Sequence, residues 1–339
     1  MLAQTFRYAD GVLPNIGAIA YTIGAYIGGI ALLVFASLPG QVIGTLLVAH
    51  ALIMSSYLFH EFAHHSIFKS AAANNRWGVL MTWINGSCYA SFADLRRKHV
   101  RHHVDRADVI TFNFKDFLRR SPGWFRNLVL ALEWAYVPAV ELIMHAYVMA
   151  LPCIAEEKKH RRARVIAIIT IRAAGFALLG WASPIGLLGY AIAYMIMLHV
   201  LRFADAYQHT YDAFAILQGG DIPADKVRDH TYEQRNTYSN LVSVAHPLLN
   251  LLLLNFSYHN AHHERPIEPW YRLPRLHAEL FPGDYVQVLP MTTLLAAHHR
   301  YRVKRVLSGD YGDVPETPSG HLDPSGFYGA VGVSFLTAV

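Results

Sequence analysis

The sequence predicts an all-α integral membrane protein with two transmembrane hairpins, four spans in total, and a helical cytoplasmic cap. Hydrophobic residues make up 53% of the 339 positions and charged residues only 16%, which is more apolar than an average soluble domain. Four apolar runs have the length of a membrane span, about 17 to 25 residues. They form two pairs, each joined by a short turn that contains proline. The runs cover residues 15–38, 41–59, 165–181 and 185–201.

Positive charge predicts which side of the membrane carries the cap. Residues 93–126 contain many Lys and Arg residues, and the positive-inside rule makes such a segment cytoplasmic. The net charge of the chain is only +5 with histidine neutral. Because the excess is local, it indicates membrane orientation and gives no sign of nucleic-acid binding. The basic residues are Arg96, Arg97, Lys98, Arg101, Arg106, Lys115, Arg119, Arg120 and Arg126.

Three further apolar stretches are predicted not to cross the bilayer. Residues 77–92 are too short for a span and suit an interfacial or buried position. Residues 128–154 are interrupted by glutamates and prolines, and a basic block follows at 158–164, so we expect them to dip into the membrane and return. Residues 241–256 are short and contain Pro247, which favours a core helix of the cap.

The two ends of the chain differ in their expected order. The run at 15–38 is too long for the core of a signal peptide, and no small-residue cleavage site precedes a polar start, so we expect a retained membrane helix. Residues 301–339 are rich in Gly, Pro, Ser and Asp, and we expect a loosely ordered tail. The predicted membrane domain therefore covers residues 1–300.

Three short clusters stand out among the twenty histidines of the chain. Positions i, i+3 and i+4 of a helix share one face, so the members of a cluster can converge. Two of the clusters repeat the pattern H-x-x-H-H, and two such matches are improbable by chance. The clusters, called boxes 1, 2 and 3 below, are His60, His64 and His65; His99, His102 and His103; and His259, His262 and His263.

The boxes predict a site for two metal ions. Imidazole is a good ligand for iron, copper, zinc and nickel, and the boxes hold more histidines than one ion uses. The two cysteines, Cys88 and Cys153, have no C-x-x-C spacing, which excludes a recognisable thiolate site. One further ligand is expected upstream of box 3. The candidates are His209, one helical turn after Asp205, and His246, and the sequence leaves the choice open.

Other interpretations of the histidines are weaker. Residues His60, Glu61 and His64 match the H-E-x-x-H pattern of zinc hydrolases, but a hydrolase would leave boxes 2 and 3 without a role. A metal transporter would need polar residues at mid-bilayer depth, and His50 and His199 are isolated candidates. An isolated histidine is more often a packing residue than a ligand, and we assign that role to His50, His145, His199, His277, His298 and His299.

The three boxes resemble the histidine boxes of the membrane fatty-acid desaturase family, in order and in spacing around two apolar hairpins. Gln208-His209-Thr210 is similar to the extra histidine that members carry past the fourth span. Trp270-Tyr271-Arg272-Leu273-Pro274 is similar to a short motif after the third box. The resemblance covers residues 15–300. It implies two iron ions (Fe²⁺) on the cytoplasmic face, which activate O₂ and attack an unactivated C–H bond of a fatty acyl chain.

We therefore expect a multi-pass membrane oxidoreductase, most simply a desaturase, whose partners are a fatty acyl substrate and membrane lipid. The same scaffold in the family also hosts hydroxylases and oxidative decarboxylases that release terminal alkenes, and the boxes do not separate these outcomes. The chain has no H-P-G-G motif of a cytochrome b5 domain. Electrons are thus expected from an external donor, such as a ferredoxin or a similar reductase system, which basic residues at 96–106 and 158–164 could dock.

Overall fold

The chain is mostly α-helical and separates into two compact units. The membrane unit comprises the residues up to Leu95 together with His145–Val200. The histidine unit comprises Arg96–Met144 and Leu201–Ala338. The computed structural model describes residues 2–211, 213–218, 222, 227–283 and 285–338.

The described helices and strands follow one another without a large sheet. The helices are α1 (Leu2–Thr5), α2 (Val12–Phe35), α3 (Leu38–Ala63), α4 (Ala71–Asn85), α5 (Phe92–Asp105), α6 (Phe114–Arg120), α7 (Gly123–Trp134), α8 (Ala139–Ile154), α9 (Arg162–Ala182), α10 (Pro184–Ala206), α11 (His230–Arg235), α12 (His259–Glu264), α13 (Leu273–Leu280), α14 (Met291–Arg300) and α15 (Lys304–Leu307). Short 3₁₀ helices cover Ala9–Gly11, Ser87–Tyr89, Glu156–Arg161 and Pro247–Leu253. Strand β1 (Asp108–Ile110) pairs in parallel with β2 (Phe214–Ile216), and β3 (Gly312–Asp313) pairs antiparallel with β4 (Gly326–Phe327).

Four of the described helices are long and apolar enough to cross a bilayer, which confirms the four predicted spans. These helices are α2, α3, α9 and α10, and with their leading 3₁₀ turns the spans cover 23 to 27 residues each. At about 1.5 Å of rise per residue, each span exceeds the hydrocarbon thickness of about 30 Å. The first pair is joined across residues 36–37 and the second across Ser183, so both predicted hairpins are present.

Small residues let the two helices of the first hairpin approach closely, and hydrogen bonding shapes the turn of the second. A Cβ atom on Gly44 would lie 2.8 Å from the carbonyl oxygen of Gly29, so a larger residue there would push α2 and α3 apart. In the second hairpin the hydroxyl of Ser183 accepts a hydrogen bond from the backbone N–H of Gly186 at 2.9 Å. Pro184 occupies the first position of α10, where its missing N–H costs nothing.

Residues 128–154 do not form a span. They are divided between α7 and α8, and Tyr136 in the break has a positive φ of 61°. Helix α8 has 16 residues, which is too short for a straight crossing.

The structure differs from the expected core helix at residues 241–256. A short 3₁₀ helix, Pro247–Leu253, takes its place, and Leu254 ends it in the left-handed conformation. The side chain of Asn250 accepts from the backbone N–H of Val242 at 2.8 Å and donates to the carbonyl of Ser243 at 2.9 Å. These bonds compete with α-helical hydrogen bonding, and Pro247 cannot continue a helix from its N-terminal side.

The structure also differs from the expected loose tail at residues 301–339. Phe327, Val331 and Leu336 are fully buried in the histidine unit. The ammonium of Lys98 donates to the backbone carbonyls of Ser334 at 2.7 Å and Thr337 at 2.9 Å, which holds the segment in place. Composition suggested disorder because Gly and Pro are frequent, but the few large apolar side chains are spaced so that most of them reach the core.

Candidate metal centre

Box 3 lies on α12, a helix of only six residues that is completely buried along its histidine face. His259, His262 and His263 are all less than 5% exposed. Helix α12 packs against α13 through Tyr258, Ala261 and other apolar residues of the same cluster. The amide of Asn260 donates to the carbonyl of Thr237 at 2.8 Å, and the backbone N–H of Asn260 donates to Ser239 Oγ. These contacts fix the direction in which the three imidazoles point.

Box 2 lies near the end of α5 and contributes to two groups of imidazoles. In the first group, His209 Nε2 lies 3.1 Å from His102 Nε2 and 2.9 Å from His259 Nε2. His263 Nε2 lies 3.1 Å from His259 Nε2. Four ligand nitrogens thus lie within 4.8 Å of one another, and we call these four residues the first histidine group.

The hydrogen bonds of the outer ring nitrogens determine where the protons of the first group are. His102 Nδ1 lies 2.9 Å from the carbonyl oxygen of Ala107, which can only accept, so Nδ1 carries the proton. His263 Nδ1 lies 2.9 Å from Oε1 of Glu233, with the same consequence. In the neutral form of each ring, Nε2 is then a bare lone pair.

His209 reaches the same protonation state through a hydroxyl. Thr237 Oγ1 donates its single proton to the carbonyl of Glu233 at 2.7 Å. It must therefore accept from His209 Nδ1, which is 3.2 Å away. Burial lowers the pKa of His209 well below its usual value, and the neighbouring His102 and His263 add to this effect. The ring of His209 is thus neutral, with a lone pair on Nε2.

This arrangement fits a bound cation. Lone pairs on His102, His209 and His263 converge within a few ångströms and would repel one another if nothing positive lay among them. Neutral imidazoles whose outer N–H is held by a carbonyl, carboxylate or hydroxyl are the usual form of histidine ligands. The donor set, nitrogen without sulfur, suits iron or zinc among the common metals.

A second group is formed by His99, His103 and His262, which we call the second histidine group. His103 Nε2 lies 3.2 Å from His99 Nε2 and 3.1 Å from His262 Nε2. The ring of His103 also lies 4.3 Å from that of His263, centroid to centroid, so the two groups are neighbours. Two adjacent groups of imidazoles within one unit are compatible with two metal positions, which stay a prediction.

Box 1 belongs to the membrane unit, at the C-terminal end of α3. The rings of His60 and His64 lie 4.7 Å apart, centroid to centroid, so this i, i+4 pair shares one face. His60 Nδ1 lies 3.3 Å from Oε1 of Glu61, while Ser66 Oγ donates to Oε2 at 2.7 Å. Glu61 thus orients His60 in the way that ligands are usually oriented. The carboxylate that a zinc hydrolase would use as a base is engaged on both oxygens.

The remaining two candidates occupy different surroundings. His65 follows α3 with a positive φ of 56°, and its Nε2 lies 3.2 Å from Oδ1 of Asn75. His246 is exposed at the start of the 3₁₀ helix that begins at Pro247, where its backbone N–H bonds to Ser243 Oγ. The structure therefore brings His209 into a histidine group and leaves His246 outside both groups. The role of all these residues as ligands stays a prediction.

A small cavity of about 40 Å³ adjoins the first histidine group. Asp205, Lys98 and Phe335 line it together with several of the imidazoles. Neither carboxylate oxygen of Asp205 has a hydrogen-bond partner within the part of the chain that the structure describes. Burial lowers the pKa of Lys98 to about 7, although Asp205 and Asp108 oppose the shift. The cavity is large enough for water and has polar groups to hold it.

A family model described as fatty acid desaturase matches residues 36–294. The chain belongs to the fatty acid desaturase family. This confirms the resemblance drawn from the three boxes, all of which lie within the matched residues. Together with the four spans, it makes the protein an integral membrane member of that family.

One relative is the acyl-lipid 8-desaturase of Rebecca salina. The two sequences are 23% identical over 255 residues, which cover 70% of this chain and 56% of the relative. The chain therefore spans little more than half the length of this relative. Its name describes the relative, and the activity of the present chain has to be argued from its own site.

Two residues of the site were not predicted from the sequence. Glu233 holds both His263 and Arg106, whose guanidinium lies 2.7 Å from Oε2. The imidazole and the guanidinium lower the pKa of Glu233, although burial alone would raise it. Thr237 orients His209. Neither residue belongs to a recognisable motif. Glu233 lies within α11 and Thr237 follows that helix, and the fold brings both to the imidazoles.

Several of the basic residues expected to dock an electron donor already have partners in their own unit. Arg161 pairs with Asp94 at 2.5 Å, and Arg164 donates to three backbone carbonyls at 88–90. In the histidine unit Arg106 pairs with Glu233. Part of this positive charge is therefore already engaged within each unit. A docking surface for the electron donor would use the remaining basic residues of the same two segments.

Proposed function

We propose that the protein is a membrane di-iron oxidoreductase that uses O₂ and external electrons to oxidise an unactivated C–H bond of a fatty acyl chain. The observation that carries the proposal is the pair of adjacent histidine groups, whose inner nitrogens lie within 4.8 Å of one another in each group. Membership of the fatty acid desaturase family supports the same chemistry. The four spans support a substrate that enters from the bilayer.

The ligands that we propose are drawn from all three boxes and from His209. His102, His209, His259 and His263 would hold one ion, and His99, His103 and His262 would contribute to the other. We add His60 and His64 because they share a face of α3 and because Glu61 orients His60. His65 and His246 are the weakest members of the sequence-based set, since one contacts Asn75 and the other is exposed.

When bound, the two ferrous ions supply the electrons that activate O₂. The protein's own residues have three tasks. Ala107, Thr237 and Glu233 hold the outer N–H groups of the imidazoles, so the ligands need no reorganisation when metal enters. Buried aromatic residues such as Phe256 exclude bulk water from the imidazoles. Asp205 and Lys98 are placed to hold water and protons beside the first group.

Desaturation is the outcome that we propose first. Removal of two hydrogens from adjacent carbons, with O₂, two electrons and two protons, gives one double bond and two molecules of water. Hydroxylation, or oxidative decarboxylation to a terminal alkene, would use the same groups and differ only in how the acyl chain is held. We further propose that the boxes face the cytoplasm, on the charge of residues 93–126, and that a ferredoxin or a similar reductase supplies electrons.

The test combines metal analysis with product analysis of the full chain purified from membranes. We expect about two iron ions per chain, as two groups of histidines imply. With a reducing system and a defined acyl substrate, we expect a product two hydrogens lighter by mass spectrometry. A hydroxylated product or a volatile 1-alkene would select one of the alternatives on the same centre.

The zinc hydrolase alternative is tested by the same preparation. One zinc per chain, no iron and no O₂ consumption would overturn the proposed function. One variant adds a control. Glu61→Gln should slow oxidation without changing the product, whereas a hydrolase that used Glu61 as its base would lose hydrolysis altogether.

A further inference from the structure

The membrane unit contains a further feature, a half-buried positive charge in the middle of a span. Arg172 is the eleventh residue of the 21-residue helix α9, about 15 Å along the helix axis from its start. An arginine at that depth is costly in a bilayer, so such residues are usually paired or functional. Arg172 also faces a cavity rather than the end of the helix.

The partners of Arg172 among the described residues are neutral groups. Its Nη1 donates to the backbone carbonyl of Trp83 at 2.9 Å and lies 4.0 Å from Cys88 Sγ. The guanidinium lies 5.4 Å from the ring centre of Phe176 and 6.0 Å from that of Tyr89. No carboxylate pairs with Arg172 within the part of the chain that the structure describes.

The cavity beside Arg172 has a volume of about 490 Å³ and lies between α2, α4, α9 and α10. This volume falls in the range of small-molecule sites. Its walls are almost entirely apolar, formed by residues such as Ile27, Leu80, Ile171 and Leu179. A long alkyl chain suits such walls, and no water is needed to satisfy them.

Two phenols add hydrogen-bonding capacity at the polar end of the cavity. The hydroxyls of Tyr26 and Tyr190 lie 3.2 Å apart, and both residues line the cavity with Arg172. Their mutual hydrogen bond uses one proton, so the other hydroxyl proton can be donated to a ligand. The site thus offers a guanidinium and a phenol next to an apolar channel, which is the pattern that recognises an anionic head on an apolar tail.

We propose that this cavity binds a free fatty acid, with its carboxylate on Arg172 and its chain along the apolar walls. A carboxylate has one charge, which one guanidinium balances, and it is small enough to enter between helices at this depth. The headgroup of a phospholipid would have to bring its glycerol and second chain away from the membrane surface. The proposal does not depend on bound metal, because all the residues that carry it belong to the membrane unit.

A purely structural role of Arg172 is the competing explanation. The bond to the Trp83 carbonyl lies two residues before the C-terminal end of α4, where a cation is favourable. This role accounts for one N–H of the guanidinium and for its position near α4. It gives no reason for an apolar cavity of this size or for the two phenols, and it predicts an effect on folding without an effect on ligand binding.

The experiment measures saturable binding of radiolabelled dodecanoic acid to the full chain in phosphatidylcholine nanodiscs. Unlabelled competitors are dodecanoic acid, its methyl ester and dioleoyl phosphatidic acid. The variants are Arg172→Gln and, as a matched control on the same helix, Arg162→Gln. Arg162 also donates to backbone carbonyls, those of Pro152 and Cys153, and it does not line the cavity.

We expect the acid to compete well and the methyl ester poorly. Arg172→Gln should weaken binding about tenfold or more, because a charge-assisted pair is lost in an apolar site, while Arg162→Gln should leave it unchanged. Equal binding by Arg172→Gln and wild type, or equal competition by acid and ester, would overturn the proposal. Stronger competition by phosphatidic acid would identify a phospholipid site instead and also overturn it.

Two further measurements keep the result independent of folding and of the metal centre. If Arg172→Gln does not fold, the comparison of acid with ester on the wild-type protein still decides, and Arg172→Lys tests whether charge alone restores binding. Binding is repeated after removal of metal with a chelator. Binding by a protein that purifies without iron and consumes no O₂ would refute the proposed oxidation but not this site, whereas an iron-containing, active protein whose binding is unchanged by Arg172→Gln would refute only the site.

Discussion

The same five-residue pattern, H-x-x-H-H, occurs in two different surroundings in the histidine unit. Box 3 lies on the short helix α12 and all three of its histidines are less than 5% exposed. Box 2 lies on the 14-residue helix α5, where His99 is buried but His102 and His103 are only partly so. Identical spacing therefore gives the same convergence of imidazoles but not the same exclusion of water.

The difference comes from what lies behind each helix. Helix α12 is backed by an apolar cluster that includes Leu241, Leu273 and Leu276, and by the hydrogen bonds of Asn260. Box 2 is followed by Arg106 and by the short strand β1, and two of its histidines, His102 and His103, are only partly buried. We conclude that the H-x-x-H-H pattern specifies which imidazoles converge. The neighbouring segments decide how firmly these imidazoles are held and how well they are shielded from water.

The largest expected difference between the boxes is in stability. His263→Ala and His103→Ala should each abolish oxidation, because each removes a proposed ligand. His263→Ala should also destabilise the metal-free protein by about 2 kcal/mol, since Glu233 loses a buried hydrogen-bond partner. His103→Ala should have a much smaller effect. Thermal melting of the chelator-treated proteins tests this, and equal melting temperatures would contradict the contrast between the boxes.

The second difference concerns the ligand outside the boxes. His209→Ala should lower the iron content and abolish activity, because its Nε2 lies among the first histidine group. His246→Ala should leave both unchanged, because His246 is exposed and outside both groups. Iron analysis and turnover of the two purified variants form a matched comparison. The assignment fails if His246→Ala loses iron while His209→Ala keeps it.

A smaller effect is expected from the residue that orients box 3. Glu233→Gln keeps the shape of the side chain but removes the charge that holds His263 Nδ1–H, so metal affinity should fall roughly 10–100-fold. The control is Glu264→Gln, since Glu264 pairs with the exposed His230 at 2.6 Å. Titration of the metal-free variants with Fe²⁺ measures both affinities. Equal Fe²⁺ affinities of the two variants would show that Glu233 does not support the metal site.

The smallest expected effect concerns His277 and depends on pH. Burial lowers the pKa of His277 from 6.5 to about 4, so the unfolded chain binds this proton at a higher pH than the folded chain. The contribution of His277 to stability is complete above pH 6.5 and declines as the pH falls towards about 4. The melting temperature of His277→Gln should therefore fall less between pH 7 and pH 4.5 than that of the wild type. Parallel curves would contradict this.

The sequence by itself determined the four spans, the three boxes and the family. Spans follow from the length of apolar runs, because a bilayer sets a minimum length that no tertiary contact can alter. The convergence of His99, His102 and His103, or of His259, His262 and His263, follows from the local geometry of a helix turn. These features depend only on residues close together in the chain.

Only the tertiary structure decided the features that depend on distant residues. It brought His209 rather than His246 to the first histidine group, and it supplied Glu233 and Thr237 to hold the imidazoles. It ordered the C-terminal segment through Lys98, and it placed Arg172 beside an apolar cavity. Each depends on a pairing between residues far apart in the chain, and no local pattern encodes such a pairing.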